Sequence, residues 1–416
     1  MPLGANNIPV SRRFVTYLIL TGAAQAILGF GEIIARKSLG ASALAITLLT
    51  MIPPVTSFAT IWWGAILVGR DQRRWLMIMG TAAYLVILSG SALSNINHLL
   101  VIYLLFHFAW SIFGPAETRI MQQHIHPSDT GKTYGMAIGL RMGLAAAVTA
   151  GAGFWMDHVT GGFRQVFPLS ATIGMIGLVM IASVPTGSSG EPMGMNRELI
   201  IRPWRETFQL LARRRDFLRF EIAFMIYGIA FMMLMPVVPI FLVDELKLSY
   251  ATIGLARGAA SQLIMIPAML IFGRLFDRST PHRMGVWIFS LLALYPLILL
   301  TAGKVEGELQ IWLVYAAFLV FGVVMSGLIV IWNLSTLRFA RGEDVSVYQS
   351  VHVAATGVRG MFAPFLGYAI MSWFGIQTAL IVSAALWVVA GAAMVLMRRI
   401  DRRSGEATSL RAAVKM

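Results

Sequence analysis

Ile311–Leu334 reads IWLVYAAFLVFGVVMSGLIVIWNL, 24 residues without a single charge. As an α-helix this run is about 36 Å long at about 1.5 Å per residue, and bilayer hydrocarbon is about 30 Å thick. A helix that is apolar on every side must be enclosed by protein or by lipid. Working outward from it, the same pattern recurs along the whole chain. The runs preceding it are Phe14–Ile34, Ala43–Leu67, Trp75–Leu93, Leu99–Met121, Thr133–Met156, Phe167–Val184, Phe220–Val243, Ala251–Phe276 and Met284–Leu300. Val347–Ile370 and Ile376–Met397 follow it. These twelve runs predict an all-α integral membrane protein, because lipid-facing backbone must satisfy its own hydrogen bonds as helix.

Composition agrees. The 416 residues are 57% hydrophobic and 12% charged, where a soluble domain carries about a quarter charged residues. That balance excludes a disordered chain, a collagen and an ordinary cytosolic enzyme. Cysteine is absent, so disulfides, thiolate nucleophiles and Cys-ligated metals are excluded too. The pair Arg12–Arg13 ahead of the first run has the look of a signal peptide. However, the run exceeds the usual length of about 7–15 residues and no small-residue cleavage site closes it, so it reads as the first span.

The net charge of +14 would suggest nucleic acid in a soluble protein; here its distribution gives topology instead. Arg70, Arg73 and Arg74 follow span 2, and Arg274, Arg278 and Arg283 follow span 8. Between spans 6 and 7 lie Arg197, Arg202, Arg205, Arg213, Arg214, Arg215 and Arg219. The loops on the other side hold only Arg36, Lys37, Arg164, Lys247 and Lys304. Basic loops stay in the cytoplasm, so both termini are expected there, with the chain in a plasma membrane, the inner membrane of a bacterium. Nucleic acid is not an expected partner; the bilayer is. Within the linker, Ile200–Phe220 sets Trp204, Phe208 and Leu211 among arginines, the pattern of an amphipathic helix on an anionic surface or of a solvated tether with a few anchors.

The chain also repeats itself. Leu39-Gly40-Ala41-Ser42 opens span 2 and Leu246-Lys247-Leu248-Ser249 opens span 8, offset by 207. Gly139-Leu140-Arg141 is matched by Gly357-Val358-Arg359, and Thr118-Arg119 by Leu337-Arg338, offset by 218 and 219. The expected organisation is a six-helix half over residues 1–184, a cytoplasmic linker over 185–219, a second half over 220–397 and a cytoplasmic tail over 398–416. Two halves in the same orientation describe a duplicated transporter.

The run Gly273-Arg274-Leu275-Phe276-Asp277-Arg278-Ser279-Thr280-Pro281-His282-Arg283 resembles the cytoplasmic loop motif G-x-L-x-D-R-x-x-x-x-R of the major facilitator superfamily. The matching first-half loop, Gly64 to Arg74 with Arg70 and Asp71, is degenerate, whereas in the family the first copy is usually the better preserved. The resemblance covers the whole chain in topology and about eleven residues in motif. It implies two six-helix bundles, secondary transport by alternating access, and a gating role for Gly64, Arg70, Asp71, Gly273, Asp277, Arg278 and Arg283. Independently, an Asp at a helix N-terminus is electrostatically favoured and pairs with Arg. That combination makes a latch, unless the arginines only anchor the loop.

Polar residues inside spans point to a pathway or a partner. Spans 3, 6, 9 and 12 contain no acidic or basic residue; in the superfamily these four helices form the outer layer. The candidates for the substrate cavity are Gln25, Glu32, His107, Arg141, Arg257, Asn333, His352 and Arg359. Helical periodicity groups Thr21, Gln25 and Glu32 on span 1, and His107, Ser111, Gly114 and Thr118 on span 4. It likewise groups Tyr315, Gly322, Ser326 and Asn333 on span 10, and Gln349, His352, Thr356 and Arg359 on span 11. The four stripes read as the lining of a shared water-filled pathway. Arg257, near the outer end, has the length to snorkel outward. Glu32 and Arg36 are spaced for an i, i+4 pair; a buried, protonatable Glu32 is the alternative. His107 and His352 are candidate proton carriers. Gly135, Gly139 and Gly143 form a ridge for close helix packing.

His124-Ile125-His126 with Asp129 sits in a short loop and is not expected to bind metal. No GxxxxGK[ST] loop exists to hold ATP, no catalytic constellation is visible, and no cofactor is expected. The reading is a monomeric secondary transporter, not an enzyme. Its cargo is a small anionic or zwitterionic solute, suited to Arg, with protons or another ion as coupling partner. Its rivals are a proton-coupled multidrug exporter using Glu32 or Glu117, and a membrane scaffold that retains the fold without transporting.

Overall fold

The computed structural model describes residues 9–67, 70–124, 127–185, 197–340 and 345–413. Among these there is no β-strand. The first six spans are built from α1 (Val10–Leu28), α2 (Gly31–Lys37), α3 (Ala43–Thr56), α4 (Ala59–Ile66), α5 (Gln72–Leu88), α6 (Ile96–Trp110), α7 (Phe113–His124), α8 (Pro127–His158) and α9 (Gly162–Ala182). After them come α10 (Arg197–Arg213), α11 (Arg215–Ile240), α12 (Tyr250–Leu255), α13 (Ile264–Asp277), α14 (Pro281–Leu292), α15 (Leu294–Ala302), α16 (Glu308–Ala340), α17 (Val345–Phe374) and α18 (Ile376–Ala413).

Eleven of the described helical stretches are long and apolar enough to cross a membrane, and the shorter Ala43–Thr56 stands at the place of the second span. That span is broken because Pro53 and Pro54 lie inside α3 and each removes a backbone donor. Local capping sets the helix starts. Ser42 accepts from the N–H of Ala45 at 3.2 Å, Asn95 from His98 at 3.0 Å and Ser249 from Thr252 at 3.0 Å, the geometry that satisfies the first-turn donors. Two segments are wound as π-helix, Phe241–Glu245 and Ala256–Leu263. Such turns insert a residue into the helical register and turn the following side chains to a new face.

The described residues form two compact units. One comprises Met1–Arg202 with Val238–Leu263, the other Pro203–Val237 with Ile264–Met416. In the first, Tyr17, Phe30, Tyr84, Phe106 and Phe113 are fully buried; in the second, Phe217, Phe220, Phe224, Tyr348 and Trp387 are. Many large apolar residues point outward instead, among them Phe154, Leu270, Ile271, Trp287 and Phe374. So much exposed apolar surface fits lipid as the surrounding solvent.

The close approach of α8 differs from the expected glycine ridge. A methyl group at Gly143 would meet nothing within 4 Å, and the side-chain environment of Gly135 lies outside the described residues. The tight contact is one turn further on. There Gly254 faces the carbonyl oxygen of Thr149, Gly258 that of Ala146, and Gly153 that of Tyr250. The small residues occur on both partners, so backbone meets backbone.

Replacing Gly254 by Ala would set a methyl 2.7 Å from the Thr149 oxygen, an overpacking that costs about 1–3 kcal/mol. Thermal melts in detergent are expected to show a lower Tm for Gly254→Ala and an unchanged one for Gly143→Ala.

Candidate functional site

In the first unit Arg141 leaves α8 and lies across Gly22 of α1, where any Cβ would collide with the arginine side chain. Its Nη2 donates to Oε1 of Gln25 at 3.0 Å. The guanidinium is half-buried, and its other N–H groups make no hydrogen bond among the described residues. Close by, the Tyr17 hydroxyl donates to Oε1 of Glu117 at 2.5 Å, and the Arg141 charge acts on both of them. A guanidinium, an amide and a carboxyl group thus converge from α1, α7 and α8. Tyr17 carried no signal of its own in the sequence, being one aromatic among many; Glu117 did, as a carboxylate in an apolar run.

The second unit repeats the device. Arg359 leaves α17 and lies across Gly228 of α11, 218 and 206 residues after its counterparts. Here the guanidinium is 2% exposed. It donates to the carbonyl of Phe224 at 3.1 Å and to Oγ1 of Thr356 at 3.0 Å. It also lies 5.7 Å from the ring centres of both Phe224 and Trp332, within range of cation–π attraction. On the same helix His352 is fully buried, its Nδ1 at 2.7 Å from Oε1 of Glu221. Glu221 was not singled out from the sequence, although it is the only charge in Phe220–Val243.

The remaining candidates fall in other places. His107 packs against Phe106 and Tyr103, with ring centres 5.1 and 5.5 Å away. Asn333 is exposed and its side-chain amide donates back to the Ile329 carbonyl at 2.8 Å. Thr21, Ser326, His352 and Arg359 are all at most 3% exposed. These members of the stripes on α1, α16 and α17 are closed in by their own unit. Much of their polarity is spent between helices.

Glu32 and Arg257 form a pair, at 3.4 Å. The i, i+4 pairing of Glu32 with Arg36 is corrected: Arg36 binds both oxygens of Asp244 at 2.5–2.9 Å and the Ala41 carbonyl at 2.7 Å. Arg257 also donates to the Gly29 carbonyl. The physical reason is tertiary: Glu32 and Arg36 stand one turn apart on α2, but each meets an opposite charge from residues 244–257 instead. Around these pairs, Lys37 donates to the Leu248 carbonyl at 2.6 Å and Ser38 meets the Tyr250 hydroxyl at 2.7 Å. Asp157 accepts from the N–H groups of Tyr250 and Ala251 at 3.0 and 2.7 Å, capping α12 from a helix nearly a hundred residues away. This cluster joins the ends of α2 and α8 to residues 244–257, all inside the first unit.

At the opposite end of the spans, Asp71 caps α5 by accepting from the N–H of Arg74 at 3.4 Å. In the second copy the roles shift. Asp277 ends α13 and the cap of α14 is Thr280, which accepts from Arg283 N–H at 3.3 Å. Asp277, Arg278 and Arg283 are exposed and make no ion pair among the described residues. Gly273 has open space where its Cβ would be; Gly64 is the sixth residue of α4, and Arg70 lies just beyond that helix. The loop is held by Arg338 of α16, which donates to the carbonyls of Ser279 and Phe276 and stacks on the Phe276 ring at 4.4 Å. Of the histidine loop, His124 binds the Pro185 carbonyl at 2.5 Å, and residues 125 and 126 lie outside the described residues. The linker helix is present as α10. Its Trp204, Phe208 and Leu211 border a cavity of about 400 Å³ completed by α11 and α17.

A family model described as Major Facilitator Superfamily matches residues 14–343 and 221–414. Among solved structures, the chain is similar to a variant of the nucleoside transporter NupG, with a TM-score of 0.74 at 11% identity, over 93% of this chain and 99% of that one. It is similar to a bacterial homologue of the human drug peptide transporters PepT1 and PepT2 (TM-score 0.69, 12% identity, 95% and 100% covered). A third is a bacterial homologue of the human lysosomal transporter Spinster, inward-facing and unoccupied (TM-score 0.64, 13% identity, 94% and 96% covered). At such identities these are likenesses of fold. No curated protein sequence matches.

The chain contains no cysteine, so one cysteine introduced at Ala41, 3% exposed behind Arg36, labels without background. Removing the Asp244 charge (Asp244→Asn) is expected to raise its maleimide labelling rate about fivefold. That is the shift produced by about 1 kcal/mol, the upper end for a solvent-screened pair.

Proposed function

The chain belongs to the major facilitator superfamily, a family of transporters and not of enzymes, and from that premise we propose that it is a secondary active transporter of a small anionic or zwitterionic solute. The single observation that carries the solute class is Arg141. It is half-buried in the first unit and held by only one hydrogen bond, to Gln25. A guanidinium with donors to spare matches a carboxylate with two parallel hydrogen bonds. Glu117, bonded to Tyr17 in the same cluster, adds a site for an ammonium group, which favours a zwitterion over a simple anion. The peptide transporters named among the structural neighbours agree with a zwitterionic cargo; the nucleoside transporters widen the list of solutes worth testing.

The two sequence halves, 1–184 and 220–397, would move by alternating access. The cluster built on Arg36–Asp244, Glu32–Arg257 and Asp157 would have to open in each cycle. The excess of arginine in the loops at the opposite end supports a bacterial inner membrane with both termini in the cytoplasm.

The test is uptake into proteoliposomes of a labelled panel: a dipeptide, an amino acid, a monocarboxylate, a nucleoside and a lipophilic cation. Uptake of a carboxylate-bearing member is expected. It should fall about 30-fold in Arg141→Ala, the loss of about 2 kcal/mol for a hydrogen bond to a charged group, with partial rescue in Arg141→Lys. Uptake confined to the cation and indifferent to Arg141→Ala would overturn the reading.

A further inference from the structure

Glu221 and His352 form a buried pair whose chemistry is incomplete. Oε1 of Glu221 meets Nδ1 of His352 at 2.7 Å, yet the buried Oε2 and Nε2 have no protein hydrogen-bond partner among the described residues. Glu221 is 6% exposed and His352 fully buried. A bare carboxylate oxygen in apolar surroundings is costly, and nothing near it donates a second hydrogen bond. The imidazole is packed between the Phe224 ring at 4.6 Å and the Trp332 ring at 4.0 Å. Among the described residues His352 has a carboxylate on one nitrogen and no protein hydrogen-bond partner on the other.

The groups around the pair can be named element by element. On α17 they are Arg359, which acts electrostatically on Glu221, and Tyr348, whose hydroxyl accepts from Arg214. On α11 there is Tyr227, under the influence of the same arginine. On α14 His282 packs against Phe220. From α16 the contact is Trp332, with Ser335 and Thr336 buried on the next turn, and α10 contributes Trp204 and Thr207 to the adjoining cavity. Arg359 thus supplies the fixed positive charge. With an ionised Glu221 and a neutral His352 the group of three is balanced, and one further proton makes it cationic. Carboxylate and imidazole share one hydrogen bond, so a proton taken up there is held between the two.

We propose that Glu221 and His352 together are a proton-binding site that loads and unloads one proton. That this proton drives solute movement rests on the transporter reading above; the existence of the site does not. The proton comes from and returns to bulk water, and no other bond is made or broken.

Trp332 reports on the pair, because a protonated imidazole quenches an indole in contact with it. The purified full chain in detergent, without solute, is titrated by tryptophan fluorescence between about pH 5 and about pH 8, the range in which imidazole changes charge. The wild type minus Trp332→Phe difference is expected to show one step. That step should vanish in His352→Gln and be displaced in Glu221→Gln, each variant first shown by its thermal melt to be folded. A flat wild type minus Trp332→Phe difference, which needs no substitution in the pair, would overturn the site, as would a step that persists in His352→Gln or stays unmoved in Glu221→Gln. A flat difference leaves the transport reading standing, whereas an intact step with no uptake of any panel solute condemns that reading and spares the proton site.

Discussion

A guanidinium inside a membrane helix has nowhere to discharge its hydrogen bonds except onto the neighbouring helices, and both units are arranged around that demand. Arg141 and Arg359 each lie across a glycine of another helix, Gly22 of α1 and Gly228 of α11. Only the missing Cβ allows the side chain to cross there. The helix that carries each arginine is thereby tied to the one carrying its glycine. Other donors then fasten the outer helices to the same core: Ser170 to the Ala24 carbonyl, Ser383 to the Ala230 carbonyl and Trp387 to the Tyr227 carbonyl.

The two copies have diverged around the same scaffold. In the first, Arg141 faces an amide and a tyrosine-bound carboxyl group and keeps donors unused. In the second, Arg359 is closed in by two aromatic rings and the Phe224 carbonyl, and the titratable pair stands beside it. One arginine is therefore half-buried beside a polar cluster, and the other is enclosed beside a buried acid–imidazole pair.

How much of this was legible beforehand varied with the range of the interaction. The apolar runs, the polar stripes and the 207- and 218-residue offsets are local or self-comparing properties, and they led to the helices, to the repeat and to Arg141 and Arg359 as a matched pair. The Asp277 loop was recognisable as a motif, but its anchor, Arg338, was seen only as part of a repeat. The i, i+4 spacing of Glu32 and Arg36 could not show that Arg257 and Asp244, 225 and 208 residues away along the chain, stand opposite them. Glu221 was overlooked because it stands at the edge of its run, where a carboxylate usually reaches water.

The amino-acid sequence by itself determined that the chain lives in a bilayer as helices, because hydropathy over some twenty residues is a local quantity and hydrocarbon tolerates no unpaired backbone. It also determined where charge enters the membrane. Only the tertiary structure decided which group each charge meets. The partners lie 100 residues apart for Tyr17 and Glu117, 131 for Glu221 and His352, and 208 for Arg36 and Asp244. Periodicity along one helix says which face a side chain occupies; which helix stands opposite that face, and in what register, follows from packing across the whole bundle.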